Sequence, residues 1–194
     1  MKVVIPSNIK NLISYKPGKA VEEVKREYGL EQVAVLWNGE NNLGPSPKAM
    51  AAVSASLHHA HLYPDPSCYN LRQKIAAYTG HAVDNIFVGN GSEELLANSI
   101  KALCQSGDEI VTSDGTFVAI YLWSALHNIP LKKVNLNVDY SIDTDAILRA
   151  ITPSTKMVYL ANPNNPTGSY LSKDELIHFL QHIPEEIIVV VDEA

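Results

Sequence analysis

From about residue 70 onward, stretches with apolar residues every three or four positions alternate with short unbroken apolar runs. The first rhythm belongs to a helix with one buried face, the second to a strand buried on both faces. The pattern predicts helices over Leu71 to Tyr78, Glu93 to Cys104, Phe117 to His127, Asp143 to Ile151 and Lys173 to Gln181. It predicts strands over Asn85 to Val88, Glu109 to Thr112, Leu131 to Leu136, Lys156 to Ala161 and Ile187 to Val191. Ser172 with Glu175 three positions on spells a capping box at the start of the last helix. Upstream, Val21, Val24 and Tyr28 give Ala20 to Tyr28 a helical spacing that stops at Gly29. Residues 38 to 47 read as loop from their Gly, Pro and Asn content, and a helix follows from Pro47 to about Leu57.

Strand and helix in alternation predict an α/β fold, three layers with helices wrapping a mostly parallel sheet. No internal repeat, low-complexity tract or linker interrupts it. Residues 1 to 35 read as an N-terminal arm.

Composition narrows the function without naming it. The chain has 194 residues, 46% hydrophobic and 19% charged, which is globular rather than disordered. A formal net charge of −6 offers no attraction to nucleic acid or to an anionic membrane. No run approaches the roughly 18 apolar residues of a membrane span, and the apolar stretch after Met1 is too short for a signal peptide. Cys68 and Cys104 are too few and too far apart for a disulfide framework, and read as two reduced thiols of a cytoplasmic protein. His178 and His182 lie four apart on a helix, but no third ligand accompanies them, so no metal site is expected.

The chemistry sits at strand exits, where open α/β sheets bind their ligands. In Val88-Gly89-Asn90-Gly91-Ser92-Glu93, a glycine-rich turn feeds a helix whose first amides have no internal partners, an arrangement suited to a phosphate. Alone, it also reads as a plain turn with Ser92 as N-cap. Asn162 to Gly168 contains two Asn-Pro steps, and Asn165 can present an amide to a ligand oxygen or simply fill a turn. Asp192, directly after the run Ile187 to Val191, offers a fixed negative charge for a cationic ring nitrogen, or pairs with a nearby base. Phe117, a short loop after a strand, can cover a planar ring, and Tyr63 in Tyr63-Pro64-Asp65-Pro66 can offer a phenol; either can instead be packing. The order phosphate turn, ring cover, asparagine, ring-nitrogen acid describes a cradle for pyridoxal 5'-phosphate.

With these residues in place the chain resembles the fold-type I pyridoxal-phosphate aminotransferases, and among them the histidinol-phosphate aminotransferase subfamily. The resemblance rests on Tyr15-Lys16-Pro17-Gly18-Lys19, Glu40-Asn41, Leu43-Gly44-Pro45-Ser46-Pro47-Lys48, Tyr63 to Pro66, Leu71-Arg72, Gly89 to Ser92, Asn162 to Gly168 and Asp192-Glu193-Ala194. It implies that Gly91 and the amides of Ser92 and Glu93 hold the cofactor phosphate. It also implies that Phe117 stacks on the ring, Asn165 bonds the ring's 3-oxygen, and Asp192 pairs with the ring nitrogen. Tyr63 is implied to reach the phosphate in the neighbouring subunit of a homodimer. The implied reaction moves an amino group between L-histidinol phosphate and 2-oxoglutarate in histidine biosynthesis. Threonine-phosphate decarboxylase, an aromatic aminotransferase and a non-catalytic remnant are the alternatives.

By the same resemblance residues 1–35 are the arm and part of the small domain, and 36–194 an incomplete cofactor-binding large domain. The family's Schiff-base lysine falls beyond Ala194, so the chain as it stands contains no catalytic residue and is expected not to turn over. Two departures, Gly39-Glu40-Asn41-Asn42 where the family has Asn-Glu-Asn-Pro and Gly115 where it commonly has proline, are expected to loosen loops near the site.

Overall fold

The structure is a computed structural model and describes residues 3–12, 18–36 and 38–194. Tyr15, Lys16 and Pro17 of the N-terminal motif lie outside the described residues. In chain order the helices are α1 (Ser7–Lys10), α2 (Val21–Tyr28), α3 (Pro47–Ser56), α4 (Tyr69–Thr79), α5 (Gly91–Leu103), α6 (Val118–Leu126), α7 (Thr144–Ala150) and α8 (Lys173–His182). The strands are β1 (Glu109–Ser113), β2 (Leu131–Val134), β3 (Thr155–Ala161) and β4 (Ile188–Asp192). The chain divides into two compact units, one of Met1–Ser14 with Phe87–Ala194, the other of Tyr15–Ile86.

The first unit holds the sheet, ordered β2-β1-β3-β4 with every pairing parallel. Side chains of β3 alternate between two cores. Met157, Tyr159 and Ala161 pack with Ile110, Leu96 and Ile100 of α5, and Ala119 and Ile120 of α6. Val158 and Leu160 pack with Val111, Ile147 of α7 and Phe179 of α8. This period of two places one helix pair on each face and gives the three layers expected from the sequence. Tyr159 and Phe179 are fully buried, and large side chains so placed each contribute about 1.5–3 kcal/mol of transfer free energy.

The helices that cover the Val158 and Leu160 face, α7 and α8, start with built-in caps. Asp143 accepts a hydrogen bond from the amide of Ala146 at 2.8 Å ahead of α7. Ahead of α8 the capping box is complete: Ser172 Oγ accepts from the amide of Glu175 at 3.3 Å, and the Glu175 carboxylate accepts from the amide of Ser172 at 2.7 Å.

One expected strand is absent among the described residues. Val83–Asn85 is a 3-10 turn and no strand covers 85–88. An apolar run becomes a strand only when a neighbour pairs its amides, and the sheet offers none here; Phe87 stays 80% exposed. The four-residue α1 was not anticipated by the sequence pattern, and Asn8 ties it to the carbonyls of Ala125 and Leu126 at the end of α6.

In the second unit the Arg72 side chain donates to the carbonyls of Ile86 (2.9 Å) and Val83 (2.8 Å), pinning α4 to the turn that follows it. Asp65 accepts from the amides of Ser67 and Tyr69, both at 2.9 Å, and so opens α4.

Candidate functional site

Parallel register decides what meets at the sheet's carboxyl end. Ala161 pairs with Asp192 and Tyr159 with Val190, so the side chains of Tyr159 and Asp192 rise on the face covered by α5. The start of α5 lies over the same end. The result is a cavity of about 370 Å³ lined by Ser92, Leu95, Leu96 and Ser99 of α5, Tyr159 of β3, and Val190 to Ala194. Two of the residues singled out from the sequence, Ser92 and Asp192, therefore share one opening.

At one side of this cavity α5 begins without a cap: Asn90 holds the N-cap position but makes no side-chain hydrogen bond to the helix amides. The Gly91 amide donates to the Gly89 carbonyl at 2.9 Å, which leaves the amides of Ser92 and Glu93 to receive an anion, and the helix dipole favours one. The two adjacent carboxylates do not oppose this. Glu94 turns back to accept from the amide of Asn90, and Glu93 accepts from the indole Nε1 of Trp123 at 3.2 Å. Both line a separate groove with Trp123 and His127. Gly89 precedes this turn closely packed on the helix, since a Cβ there would meet Leu95 Cδ2 at 3.0 Å and require that side chain to shift.

Opposite stands Asp192. Its Oδ2 accepts from the hydroxyl of Tyr159 at 2.8 Å and its Oδ1 from the amide of Ala194 at 3.1 Å. Burial, and then the bond to Asp192, push the Tyr159 phenol far above its ordinary range, so it remains a proton donor. Between anion seat and carboxylate the walls are apolar: Leu95, Leu96 and Val190. Such a cavity suits a flat heteroaromatic ring carrying an anionic group and a basic nitrogen.

The remaining expected residues are placed less uniformly. Phe117 is half-buried at the N-cap of α6 and packs on the core that includes Leu96 and Tyr159, outside the cavity lining. Asn165 is exposed and also outside that lining, while its neighbours are structural. Asn162 exchanges hydrogen bonds with Leu171 and its amide donates to the Asp192 carbonyl at 2.9 Å, tying this loop to the end of β4. Asn164, 2% exposed, donates to the Gly115 carbonyl at 3.1 Å and Thr167 Oγ1 at 2.8 Å, and its Oδ1 is unpartnered. Tyr63, in the other unit, is fully exposed.

The loop before Phe117 is not loosened by Gly115, contrary to the expectation. Gly115 sits at φ +78°, and its amide donates to the hydroxyl of Tyr121 at 2.9 Å; Thr116 does the same at 3.1 Å. Proline can supply neither that φ nor that donor. Asp114 closes the knot through Lys133 at 3.0 Å, whose hydrogen bond holds the carboxyl below its usual range. The other departure is also ordered locally: Asn41 Oδ1 accepts from the amide of Leu43 at 3.0 Å.

Sequence reasoning missed Tyr159, which it read as one more apolar residue of a strand. The signal was available, because a phenol inside a buried strand has to find an acceptor and the next strand ends in a carboxylate.

The sequence model of the family described as aminotransferase class I and II matches residues 31–194. Among curated proteins, the histidinol-phosphate aminotransferase of Anaeromyxobacter sp. (strain Fw109-5) is 42% identical over 98% of this chain and 52% of its own length. That of Bdellovibrio bacteriovorus is 40% identical over 98% of this chain and 53% of its own. Among solved structures, the histidinol-phosphate aminotransferase of Sinorhizobium meliloti in complex with pyridoxal-5'-phosphate superposes with a TM-score of 0.86 and 29% identity, covering 98% of this chain and 50% of that one. The chain thus spans about half the length of the relatives it matches. With the fold, the sheet-end cavity and a match running from residue 31 to the last residue all in agreement, the chain belongs to the aminotransferase class I and II family.

Proposed function

We propose that the protein is a pyridoxal-phosphate-dependent aminotransferase that moves an amino group between L-histidinol phosphate and 2-oxoglutarate, working as a cytoplasmic homodimer in histidine biosynthesis. The observation that carries this reading is the single cavity that joins an uncapped helix start to Asp192. Identity of about 40% to curated histidinol-phosphate aminotransferases over nearly the whole chain supports the choice of substrate.

The donor set fits the cofactor. Gly91 and the amides of Ser92 and Glu93 would receive the phosphate, and the Ser92 hydroxyl would add a donor. Asp192 would accept a hydrogen bond from the protonated ring nitrogen and so keep that nitrogen protonated. Phe117 would move from its packed position onto the ring face, or lie along it, and the exposed Asn165 would reach the 3-oxygen. Tyr63 would serve the phosphate of the partner subunit. When bound, pyridoxal phosphate supplies an electron-withdrawing ring that stabilises negative charge at the substrate's α-carbon. The apolar side chains of Leu95, Leu96 and Val190 would lower the polarity around the ring and strengthen the pairing with Asp192. None of the residues lining the cavity is a lysine, so the covalent anchor and proton shuttle of the reaction belong to the whole protein rather than to these walls. Residues 1–35 and 36–194 are assigned in this reading to the arm with part of the small domain and to the large domain.

The test is turnover by the full-length protein with 2-oxoglutarate and, in separate assays, histidinol phosphate, threonine phosphate and phenylalanine. Glutamate formation with histidinol phosphate is expected. Turnover confined to phenylalanine, or carbon dioxide release from threonine phosphate, would replace the proposal with a relative's activity.

A further inference from the structure

Tyr159 is the one polar side chain of β3 that is buried completely and aimed at the candidate site. It shows no exposure, lines the cavity, and ends 2.8 Å from Asp192 Oδ2. Its backbone is held as firmly as its hydroxyl: the Tyr159 carbonyl accepts from Thr112 Oγ1 at 2.8 Å, and its ring packs among the α5 and α6 side chains of the core. The carboxylate is therefore reached by a rigid donor from the neighbouring strand, along the diagonal between Tyr159 and the residue two beyond its register partner Val190. An ionised carboxylate has about four acceptor positions. Tyr159 and the Ala194 amide use one on each oxygen.

We propose that Tyr159 is a positioning residue: its hydroxyl holds the Asp192 carboxylate in one orientation, leaving its remaining acceptor positions for the ring nitrogen of the cofactor. The inference rests on the pyridoxal-phosphate reading above and adds a residue to it. A phenol that cannot swing, donating to an acid at the mouth of a strand, lowers the conformational cost of presenting that acid to a ligand.

The experiment measures the dissociation constant of pyridoxal phosphate, by fluorescence quenching and equilibrium dialysis, in the full-length protein and in Tyr159→Phe, Asp192→Asn and the double variant. Tyr159→Phe keeps the ring and removes the donor. It is expected to weaken binding roughly 10- to 100-fold, the size of one hydrogen bond to a charged acceptor. In the Asp192→Asn background the same change should add less than about threefold, because the charge it serves is gone. An equal loss in both backgrounds would assign Tyr159 to packing alone, and Tyr159→Phe binding like the unaltered protein would overturn the proposal while leaving the cofactor reading intact. If the unaltered protein does not bind pyridoxal phosphate, or Asp192→Asn binds it unchanged, the reading itself falls. Should Tyr159→Phe fail to fold, 3-fluorotyrosine at position 159 preserves the phenol. Its fluorine resonance should move on adding pyridoxal phosphate to the unaltered protein and stay fixed in Asp192→Asn; a resonance that ignores the cofactor in both would overturn the proposal.

Discussion

Two helices of the same unit begin in opposite ways. α8 starts inside a closed ring of hydrogen bonds in which Ser172 and Glu175 satisfy each other's amides. α5 starts with no side-chain cap and with its two nearest carboxylates turned to Asn90 and Trp123. Both helices are long enough to need help at their first turn. α7 and α8, on the face away from the cavity, receive that help from Asp143 and Ser172, whereas α6 also begins without a side-chain cap. Where α5 faces the cavity shared with Asp192, the proposed function leaves the acceptor to a ligand. An unsupplied cap is thus as informative as a supplied one, provided an independent feature lies opposite.

The comparison breaks most severely if α8 loses its anchor. Phe179 is fully buried in the core with Val158, Leu160 and Ile147, and Phe179→Ala is expected to cost about 3–5 kcal/mol of stability. Chemical denaturation of the full-length protein reads it, and a cost below about 1 kcal/mol would show that α8 is not needed to cover its face of the sheet. Next in size is Gly115→Ala. A Cβ there has to accept φ +78° and a 3.3 Å approach to Leu136 Cδ1, a cost of about 1–2 kcal/mol. Thermal melting checks it, and a neutral result would mean that the loop ahead of Phe117 can relax out of the left-handed region.

The sharpest version exchanges the two helix starts. Ser172→Ala should lose about 1 kcal/mol of stability and leave pyridoxal phosphate affinity untouched. Ser92→Ala should do the reverse, with stability within about 0.5 kcal/mol and affinity down roughly tenfold. Melting curves and cofactor titrations on both variants decide it; the same response from both would erase the distinction drawn between the helices. The smallest effect is one of pH. The side-chain and backbone bonds to Ser172 hold the Glu175 carboxyl below its ordinary value. A group whose folded value is depressed contributes stability above its unfolded value and loses it as pH falls through the folded one. The advantage of the unaltered protein over Ser172→Ala should therefore narrow as pH falls below about 4, and an advantage constant down to pH ~3 would place the capping energy elsewhere than in the carboxylate.

Much of this arrangement is legible in the amino-acid sequence. The alternation of helical and strand rhythms is enforced by burial on two faces, so it leaves a strong trace in β3, where Met157, Tyr159 and Ala161 serve one core and Val158 and Leu160 the other. The capping box of α8 is local chemistry and was legible for that reason. Residues 85–88 misled because strand propensity says nothing of whether a partner strand is present. Gly115 misleads because a glycine reads as slack, whereas its amide and its φ are both in use. Asp192 is legible as a strand-exit residue and Ser92 from its glycine-rich turn into a helix, yet Tyr159 is hidden inside the same run of apolar neighbours that makes its strand easy to recognise. The positions of Phe117 and Asn165 depend on loops whose paths no periodicity encodes.

The pairing of Ala161 with Asp192 carries a consequence for how this sheet can evolve. Sliding β4 by a single residue along β3 would preserve its aliphatic character and much of its burial, yet would send the carboxylate to the far side of the sheet, among the residues facing α7 and α8. One inserted or deleted residue in the turn before Ile188 is therefore more dangerous to the site than most replacements of the valines themselves. Length, more than side-chain identity, is what selection has to guard in that turn.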